Sequence, residues 1–479
     1  MKSIIRLSKV CLLFVFVSFS FPAFDSYAQD MINKVFLQED LTILKRNLET
    51  LHAGLYVYVS ENELDQWFEK TSLALEDSMT SLEFFRAVAP LNSTIKNGHT
   101  KVHYPKFGNS HKIFPLQVYK YKDTFHVRGS FSAQYEPMIG QQIVSIDGIP
   151  MAKVFETLLP FVTRDGNNLS LPNEDLSSYF GLEHSLFYGP KDRYEVVLKG
   201  KGKQEKVKVN SITLDGQIVQ YYTSLENIKA VNATINEGIG ILKFPTFDTK
   251  QLKKQDYKRQ LNSFFSRLAK EKVKHLIVDI RDNGGGEPVP TQELISYLYN
   301  KEFVMYKEVY TIANKIKNKK YFKKQGVGWL NLLSWTRVKK EKEHYYTPRN
   351  DEGRDTYTSK KNAFQGQLYI LTNGNSFSAA GEFASFMRHR TGAVFIGEEV
   401  GGNKFQATAG VSYTVTLPHS QQKVSIPLVV YKMNVNAEND GHGVKPDHWV
   451  RNTIEDELEG KDRVMDYAID LAKRSMAGQ

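Results

Sequence analysis

The chain has 479 residues, of which 41% are hydrophobic and 24% are charged, and its formal net charge at pH 7 is +10. A chain of this length can bury more than one apolar core, and about two to four domains are expected. Its single cysteine is Cys11, so a cysteine nucleophile, a thiolate metal site and a disulfide framework are excluded from the rest of the chain.

The first 28 residues have the pattern of a secretory leader. A basic start is followed by an apolar run over residues 10–24, and the small residue Ala28 closes the segment. The alternative is a membrane anchor, but serine and proline interrupt this short run, whereas a spanning helix needs about 20 apolar residues. The pattern therefore predicts a signal peptide over residues 1–28, export to the periplasm or the extracellular space, and no integral membrane segment after cleavage.

Residues 31–110 are predicted to form a small helical N-terminal unit. Its leucines recur near one face of a helix, at Leu41, Leu48, Leu51 and Leu55. The segment from Thr80 to Glu83 has the form of a capping box, in which the two side chains satisfy backbone N–H groups at the start of a helix.

Residues 111–210 are predicted to form a β-rich module. Phe114, Leu116 and Val118 alternate with other residues, as on a half-buried strand. The run 139–148 is an apolar strand that meets an Asp-Gly turn, and residues 194–209 have the pattern of a hairpin.

Residues 231–475 alternate between strand and helix patterns, which predicts an α/β core around a buried sheet. An insertion over residues 310–363, rich in lysine and aromatic residues, interrupts the alternation. It is either a surface cap or a segment that orders on binding. Because a basic run is usually a solvated face and an exported protein rarely meets nucleic acid, no nucleic-acid partner is expected. The predicted strands are 239–244, 275–280, 367–371 and 393–396, and the predicted helices are 250–272 and 379–389.

The first run that can carry chemistry extends from Asp279 to Gly286, where a buried strand enters a turn of three glycines. Glycines let backbone N–H groups approach a bound oxyanion without interference from a Cβ atom. An ordinary flexible turn is the alternative interpretation.

The second run extends from Leu371 to Glu382 and passes from a strand through an Asn-Gly turn into the start of a helix. At this place the hydroxyl of Ser378 is exposed, its small neighbours admit a substrate carbonyl, and the helix N-terminus favours a developing negative charge. The alternative role for Ser378 is a helix N-cap.

A serine nucleophile needs a base, because an unassisted hydroxyl attacks poorly. Among the twelve histidines, His99 stands at a turn between the helical unit and the first strand that follows. The polar run 438–447 follows an apolar strand, and a carboxylate in it can orient an imidazole. His99 and His103 are four residues apart but lack the intervening glutamate of a helical zinc motif, so neither a metal site nor a cofactor is expected.

Taken together, these runs resemble the C-terminal processing (tail-specific) serine peptidase family and its tricorn-core relatives. The resemblance covers most of the chain, since residues 139–148 are similar to the carboxylate-side pattern of a PDZ-like domain. It implies a multidomain α+β fold, in which the helical unit and a PDZ-like module precede an α/β core of the ClpP/crotonase-like kind. The matching segments of the core are 279–286, 376–382, 397–398 and 443–447.

The resemblance also implies a nucleophile and a base. Ser378 corresponds to the second serine of the Ser-x-Ser stretch, which is the family's nucleophile. One branch of the family uses a lysine, whose displaced counterpart here is Lys404. The tricorn-like branch uses a histidine and a glutamate, whose counterparts are His99 and Glu438, and this branch is favoured.

By the same resemblance, backbone N–H groups near Gly284 or Gly285, together with that of Ala379, would hold the oxyanion. The expected function is hydrolysis of peptide bonds through an acyl-enzyme, by an exported serine endopeptidase that recognises C-terminal segments of protein substrates. The rival hypotheses are a catalytically silent protein that carries a peptide or an apolar ligand on the same core, and a peptidase with a Ser378–Lys404 dyad. A protein or peptide substrate is the expected partner, and the sequence leaves the oligomeric state open.

Overall fold

The structure is a computed structural model, and it describes residues 31–106, 108, 110–200, 202–215, 218, 231–313, 322–323, 339–341, 344–346 and 354–478. The predicted signal peptide lies outside the described residues, as does most of the predicted insertion 310–363.

The N-terminal unit is helical, as predicted. The predicted capping box of Thr80 and Glu83 is confirmed, and Ser60 and Glu63 form a second one. These boxes satisfy N–H groups that a helix start would otherwise leave unpaired. The elements are β1 Ile32–Asn33, α1 Lys34–Leu51, α2 Glu61–Ala74, β2 Ser78–Met79, α3 Ser81–Val88, α4 Leu91–Ile95 and β3 Lys101–Val102.

The next region is built around an antiparallel sheet with an apolar core of its own. Large aromatic side chains such as Phe114, Phe155 and Phe180 fill this core. The elements are β4 Lys112–Ile113, β5 Leu116–Tyr121, β6 Thr124–Ser130, β7 Gln142–Ile146, β8 Ile149–Pro150, α5 Met151–Leu158, α6 Ser170–Tyr188, β9 Arg193–Lys199, β10 Gln204–Asn210 and β11 Ile212–Thr213. The main path of the sheet is β10-β9-β7-β6-β5.

Helix α6 was missed by the sequence analysis. Its buried residues include Glu174, Asp175, Glu183 and His184 as well as apolar side chains. Because polar residues are buried along with apolar ones, the sequence lacks the amphipathic period from which a helix is recognised.

The last region contains two sheets and six helices within the described residues. Its strands are β12 Asn232–Asn236, β13 Ile239–Lys243, β14 His275–Asp279, β15 Tyr306–Thr311, β16 Phe322–Lys323, β17 Lys339–Glu341, β18 His344–Tyr346, β19 Gln367–Thr372, β20 Val394–Gly397, β21 Gln406–Thr416, β22 Lys423–Met433 and β23 His448–Trp449. Its helices are α7 Thr249–Lys253, α8 Tyr257–Lys270, α9 Pro288–Leu298, α10 Ala379–Arg390, α11 Ile454–Glu459 and α12 Arg463–Ala477.

The first of these sheets has the order β12-β13-β14-β19-β20-β23, and every neighbouring pair is parallel except β12 and β13. The predicted strands of the α/β core are confirmed in it. Strand β14 is buried along its whole length, as expected for a strand that is covered on both faces. Parallel neighbours end at the same edge, so the turns after β14 and β19 lie side by side.

The predicted helix 250–272 is wrong in one respect, because the structure divides it into α7 and α8. The break lies at Asp256, whose φ of 51° is left-handed and cannot continue a right-handed helix. A periodic pattern of apolar residues does not reveal a reversal of this kind at a single residue.

The second sheet joins the N-terminal unit to the core. Its main path is β16-β21-β22-β15-β18-β17, and β3 pairs antiparallel with β22 through Val102 and Val424. A single apolar cluster also runs from Leu41 of α1 to Leu261 of α8. The helical unit therefore packs directly onto the core, and the bounds of the predicted domains stay predictions.

Within the described part of the chain, no helix combines the length and the apolar character that a membrane crossing requires. The same residues contain no cluster of three or more His, Cys, Asp or Glu side chains arranged to hold a metal ion.

Candidate active site

Ser378 lies at the end of the turn that joins β19 to α10. Its φ of 53° and ψ of −125° are unusual for a residue with a side chain, and such strain costs roughly 1–3 kcal/mol. Ser378 is the residue before the helix, but its side chain makes no capping hydrogen bond. Ser378 therefore occupies the N-cap position without a side-chain cap, and its half-buried hydroxyl remains available for another partner.

The neighbouring Ser376 is a structural residue. It is fully buried, its hydroxyl donates to the carbonyl of Ile280 at 2.9 Å, and it accepts the N–H of Asn373 at 3.1 Å. These bonds fasten the turn after β19 to the end of β14. Of the two serines in the Ser-x-Ser stretch, only Ser378 has a hydroxyl at hydrogen-bond distance from a histidine in the described structure.

Asp282 reinforces the link between the two turns. Its carboxylate accepts the side-chain N–H groups of Asn373 at 2.7 Å and of Asn375 at 3.1 Å, while its own backbone N–H donates to Asn373 at 2.9 Å. Burial raises the pKa of Asp282, although both amide side chains favour its charged form. The glycine turn is thus held in place beside Ser378.

Gly285 is in van der Waals contact with the nucleophile candidate. A Cβ atom placed on Gly285 would lie 2.7 Å from the Cβ of Ser378 and 2.7 Å from the N–H nitrogen of Ala379. Its φ of 103° also favours glycine. The alternative interpretation of this run as an ordinary flexible turn therefore fails, because the close approach to Ser378 requires residues without side chains.

The three N–H groups assigned to the oxyanion by resemblance differ in their bonding. The N–H of Gly285 already donates to the side chain of Asn283 at 2.9 Å, so it is not open to a ligand in this structure. The N–H groups of Gly284 and Ala379 donate to no residue that the structure describes. Ala379 is also the first residue of α10, where the helix dipole favours an anion.

His99 reaches Ser378. Its Nε2 atom lies 3.0 Å from the Ser378 hydroxyl, and its ring stacks on Phe377 with a centroid distance of 4.7 Å. A histidine at this distance can take the proton of the hydroxyl. The structure thus brings together two residues that are 279 positions apart in the sequence.

The loop that carries His99 is organised by Asn97. The side-chain oxygen of Asn97 accepts the N–H of His99 at 3.2 Å, and both the N–H and the hydroxyl of Thr100 at 2.9 Å. Its amide group donates to the carbonyl of Thr408 at 3.2 Å, which anchors the loop on β21. An asparagine at this place serves as an Asx-type turn residue.

His52 supports the same loop and was not singled out from the sequence. Its Nδ1 accepts the N–H of Gly54 at 3.2 Å, so its Nε2 carries the proton and donates to the hydroxyl of Thr100 at 2.7 Å. Burial lowers the pKa of His52 to about 3. A lone histidine at the end of a helix gave no signal for this role, which depends on a contact across 48 residues.

The environment of His99 keeps its imidazole neutral. Burial lowers the pKa of His99 to about 4, so the ring is unprotonated at neutral pH and its Nε2 can accept a proton. Its Nδ1 atom is buried and has no hydrogen-bond partner in the described structure. Buried ring nitrogens are normally paired, so Nδ1 lacks the acceptor that would fix its tautomer.

The structure does not bring Glu438 to this nitrogen. The side chain of Glu438 is exposed and makes no hydrogen bond or ion pair with any described residue. The next residue lies nearer to the site, because the side-chain oxygen of Asn439 accepts hydrogen bonds from Asn403 at 3.2 Å and from the Tyr58 hydroxyl at 3.4 Å. Asn403 follows Gly402, on which a Cβ would lie 3.4 Å from the Ser378 nitrogen. The expected contact of Glu438 with His99 is therefore absent from this conformation, in which the carboxylate is solvated.

Lys404, the alternative base, is engaged elsewhere. Its Nζ forms a 2.7 Å ion pair with Asp440, and the structure gives it no hydrogen bond to Ser378. A lysine acts as a base only when it is neutral, and a carboxylate partner favours its charged form. The geometry therefore disfavours a Ser378–Lys404 dyad.

The chain is similar to one known family in sequence and to several solved structures in fold. Residues 238–450 match the model of peptidase family S41. No curated protein matches the chain. Among solved structures, mature CPAF is 14% identical with a TM-score of 0.63, and the match covers 91% of this chain and 96% of that one. Mature CPAF complexed with lactacystin is 15% identical with a TM-score of 0.64, and the match covers 92% of this chain and 98% of that one.

Proposed function

This chain belongs to peptidase family S41 through residues 238–450 and is a serine peptidase, and from that premise we propose that it is an exported endopeptidase in which His99 activates Ser378. The observation that carries the assignment is the 3.0 Å contact between the His99 Nε2 atom and the Ser378 hydroxyl. A neutral imidazole at hydrogen-bond distance from a strained, open serine is the arrangement that nucleophilic catalysis requires.

The proposed reaction has two halves. Ser378 attacks the carbonyl carbon of the scissile peptide bond while His99 takes the hydroxyl proton, and the tetrahedral oxyanion collapses when His99 returns that proton to the leaving amine. Water then attacks the acyl-enzyme with the same help from His99, which frees Ser378. The N–H groups of Gly284 and Ala379 stabilise the oxyanion in both halves.

Glu438 is proposed as the carboxylate that fixes the His99 tautomer once substrate is bound. Two observations support this role: Nδ1 of His99 is buried without a partner in the described structure, and the adjacent Asn439 contacts Asn403, which follows the Gly402 that packs beside Ser378. Catalytic hydrogen bonds often form fully only in the substrate complex. Rotation of Glu438 out of solvent would supply the missing acceptor.

Two finer parts of the proposal concern place and substrate. The leader pattern of residues 1–28 supports export to the periplasm or beyond. Recognition of C-terminal segments of protein substrates is proposed for the β-rich module of residues 111–210, because an extended peptide can add to a sheet edge while backbone N–H groups receive its terminal carboxylate.

A serine-directed fluorophosphonate tests the nucleophile. We expect the parent chain to be labelled and to cleave a denatured protein, and Ser378→Ala to lose both properties. Ser132→Ala, which changes a half-buried serine that follows β6 in the β-rich module, is the matched control and should behave like the parent. Labelling of Ser378→Ala at the parent rate would place the reactive hydroxyl elsewhere.

Substrate preference is tested separately. A peptide series with identical sequences and either a free or an amidated C-terminus should be cleaved faster in the free form. Equal rates for the two forms would remove the C-terminal part of the proposal and leave the peptidase assignment intact.

A further inference from the structure

A buried turn between α5 and α6 lies against the loops of the candidate active site. Asp165 in this turn is only 4% exposed, and its carboxylate accepts the N–H of Gly98 at 2.7 Å and the N–H of Asn403 at 3.4 Å. Gly98 is the residue before His99. The carboxylate thus bonds both the loop that carries His99 and the loop that contains Asn403.

The three residues after Asp165 also form hydrogen bonds with loops near the candidate active site. Gly166 has a φ of 58°, and a Cβ on it would lie 2.4 Å from the carbonyl oxygen of Gly441, so the turn needs glycine there. The bonds are Gly166 N–H to the Lys96 carbonyl at 2.8 Å, Asn167 N–H to the Gly441 carbonyl at 2.7 Å and Asn168 Nδ2 to the Val400 carbonyl at 2.6 Å. Residues 165–168 therefore connect three loops of the site, which contain Lys96, Val400 and Gly441.

We propose that Asp165 is a positioning residue for His99, which it holds against Phe377 and within reach of Ser378. This inference rests on the proposed function. It follows from the contacts of Gly98: its N–H is bonded by Asp165, and a Cβ on it would lie 2.5 Å from the Phe377 ring. The Gly98 backbone is thus clamped between a carboxylate and an aromatic ring, which leaves the next residue little freedom.

The charge of Asp165 is essential to this clamp. An ionised carboxylate accepts two N–H groups at once, and hydrogen bonds to a charged acceptor are about twice as strong as neutral ones. Asp165 forms no ion pair with a described residue, so these two N–H groups are its hydrogen-bond donors. The titratable groups that face it are the Tyr58 phenol and the Glu382 carboxyl.

The clamp should weaken in mild acid. Burial raises the pKa of Asp165 to about 6, whereas the pKa of His99 is lowered to about 4. A loss of activity as the pH falls through about 6 would therefore not report His99. Burial raises the pKa of the facing Glu382 to about 7, so the Asp165→Asn variant is what assigns such a loss to Asp165. Stability has the opposite sign, because the raised pKa means that the folded state binds more protons than the unfolded chain, so protonation of Asp165 favours the fold as the pH falls from about 6 toward 4.

The experiment measures the second-order rate of fluorophosphonate labelling on the full chain from pH 5 to pH 8. In Asp165→Asn, the carboxamide keeps one acceptor but turns an NH₂ group toward a second N–H donor, which disturbs the clamp. We expect a rate that is lower by about 10- to 100-fold at pH 8 and that no longer changes between pH 5 and pH 8. With a peptide substrate, kcat should fall while KM stays near the parent value.

Asp175→Asn is the matched control. Asp175 is also 4% exposed, and its pKa is also raised by burial, but it lines a small cavity beside Tyr104 and Glu183 and, unlike Asp165, forms no hydrogen bond with Gly98 or Asn403. The Asp175→Asn variant should be labelled at the parent rate across the same pH range.

The outcomes separate the two proposals. Labelling of Ser378→Ala would overturn the proposed function, whereas an unlabelled Ser378→Ala together with a parent-like Asp165→Asn would overturn only the role of Asp165. If Asp165→Asn does not fold, the parent profile is compared with that of Glu382→Gln. A decline with a midpoint near pH 6 in both supports the inference, and a parent rate that is flat down to pH 5, or a decline that is lost in Glu382→Gln, refutes it.

Discussion

The imidazole of His99 and the hydroxyl of Ser378 meet at 3.0 Å, although each belongs to a different structural unit. His99 precedes β3, a strand of two residues that pairs with β22, while Ser378 follows β19 in the other sheet of the core. The active site therefore depends on the pairing of β3 with β22 as well as on the two side chains, because this pairing fixes the position of His99 relative to Ser378.

Replacement of Gly285 by alanine should abolish activity. The new Cβ would lie 2.7 Å from both the Ser378 Cβ and the Ala379 nitrogen, so the turn or the nucleophile must shift. We expect labelling and peptide cleavage to fall by at least about 100-fold. Gly148→Ala is the control, since Gly148 also has a positive φ but no atom within 4 Å of its Cβ position; it should lose stability only.

His99 and Lys404 can be distinguished as bases by substitution. His99→Ala should lower kcat by roughly 10⁴-fold or more, because the proton of Ser378 then has no acceptor. Lys404→Met removes a half-exposed ion pair with Asp440 and should change kcat by less than about fivefold. The reverse order of effects would restore the lysine dyad as the mechanism.

Glu438→Gln tests the third member of the proposed triad. If substrate binding brings this carboxylate to Nδ1 of His99, the amide would stabilise the wrong tautomer and kcat should fall by up to about 10⁴-fold. Thermal stability should not change, since the free chain leaves Glu438 in solvent. Glu455→Gln, at another exposed glutamate, is the control. A parent-like kcat for Glu438→Gln would leave His99 without a carboxylate partner.

Asp175→Asn should stabilise the protein at alkaline pH. Burial raises the pKa of Asp175 to about 7, so above that pH the fold must hold a buried charge that the unfolded chain exposes to water. The gain should be roughly 1–3 kcal/mol at pH 8 and smaller at pH 5, where the carboxyl is already protonated in the fold. Denaturant melts at both pH values measure it, and an equal change at the two would contradict the assigned cause.

Arg281 should be a main contributor to the stability of the core. Its guanidinium bridges Asp279 at the end of β14 and Asp462 before α12, with distances of 2.7–2.8 Å and a side chain that is 12% exposed. Arg281→Met leaves the buried Asp279 with only its longer, 3.6 Å ion pair to Lys243, and should cost up to about 3–5 kcal/mol. Arg259→Met, which removes a pair with Asp256 that is 83% exposed on the arginine side, should cost at most about 1 kcal/mol. Chemical denaturation of both variants makes the comparison.

The parts of the site that sequence reasoning found are those with a local pattern. Buried parallel strands are continuous apolar runs, so β14 and β19 were predictable, and the turns after them had to meet at one edge of the sheet. Ser378 and the glycine turn were identified in this way. His99 was identified only through a family resemblance, because a loop histidine has no periodic signal.

The remaining parts depend on contacts between distant segments. Asp165 lies in an Asp-Gly-Asn sequence that is typical of an ordinary turn, and only its burial against Gly98 and Asn403 shows what it does. Helix α6 was missed because its polar residues are paired or enclosed by other elements rather than exposed. The solvated side chain of Glu438 was equally unpredictable, since a motif fixes the position of a residue in the chain and not its rotamer.

The order of the two reactive groups along the polypeptide has a consequence for biosynthesis. The ribosome synthesises His99 279 residues before Ser378. Strand β3, which positions His99, pairs with β22, and β22 is synthesised after both residues. A nascent or partly folded copy therefore has no assembled machinery with which to cut its neighbours. Proteolytic competence arises at the end of folding, as a property of the finished molecule.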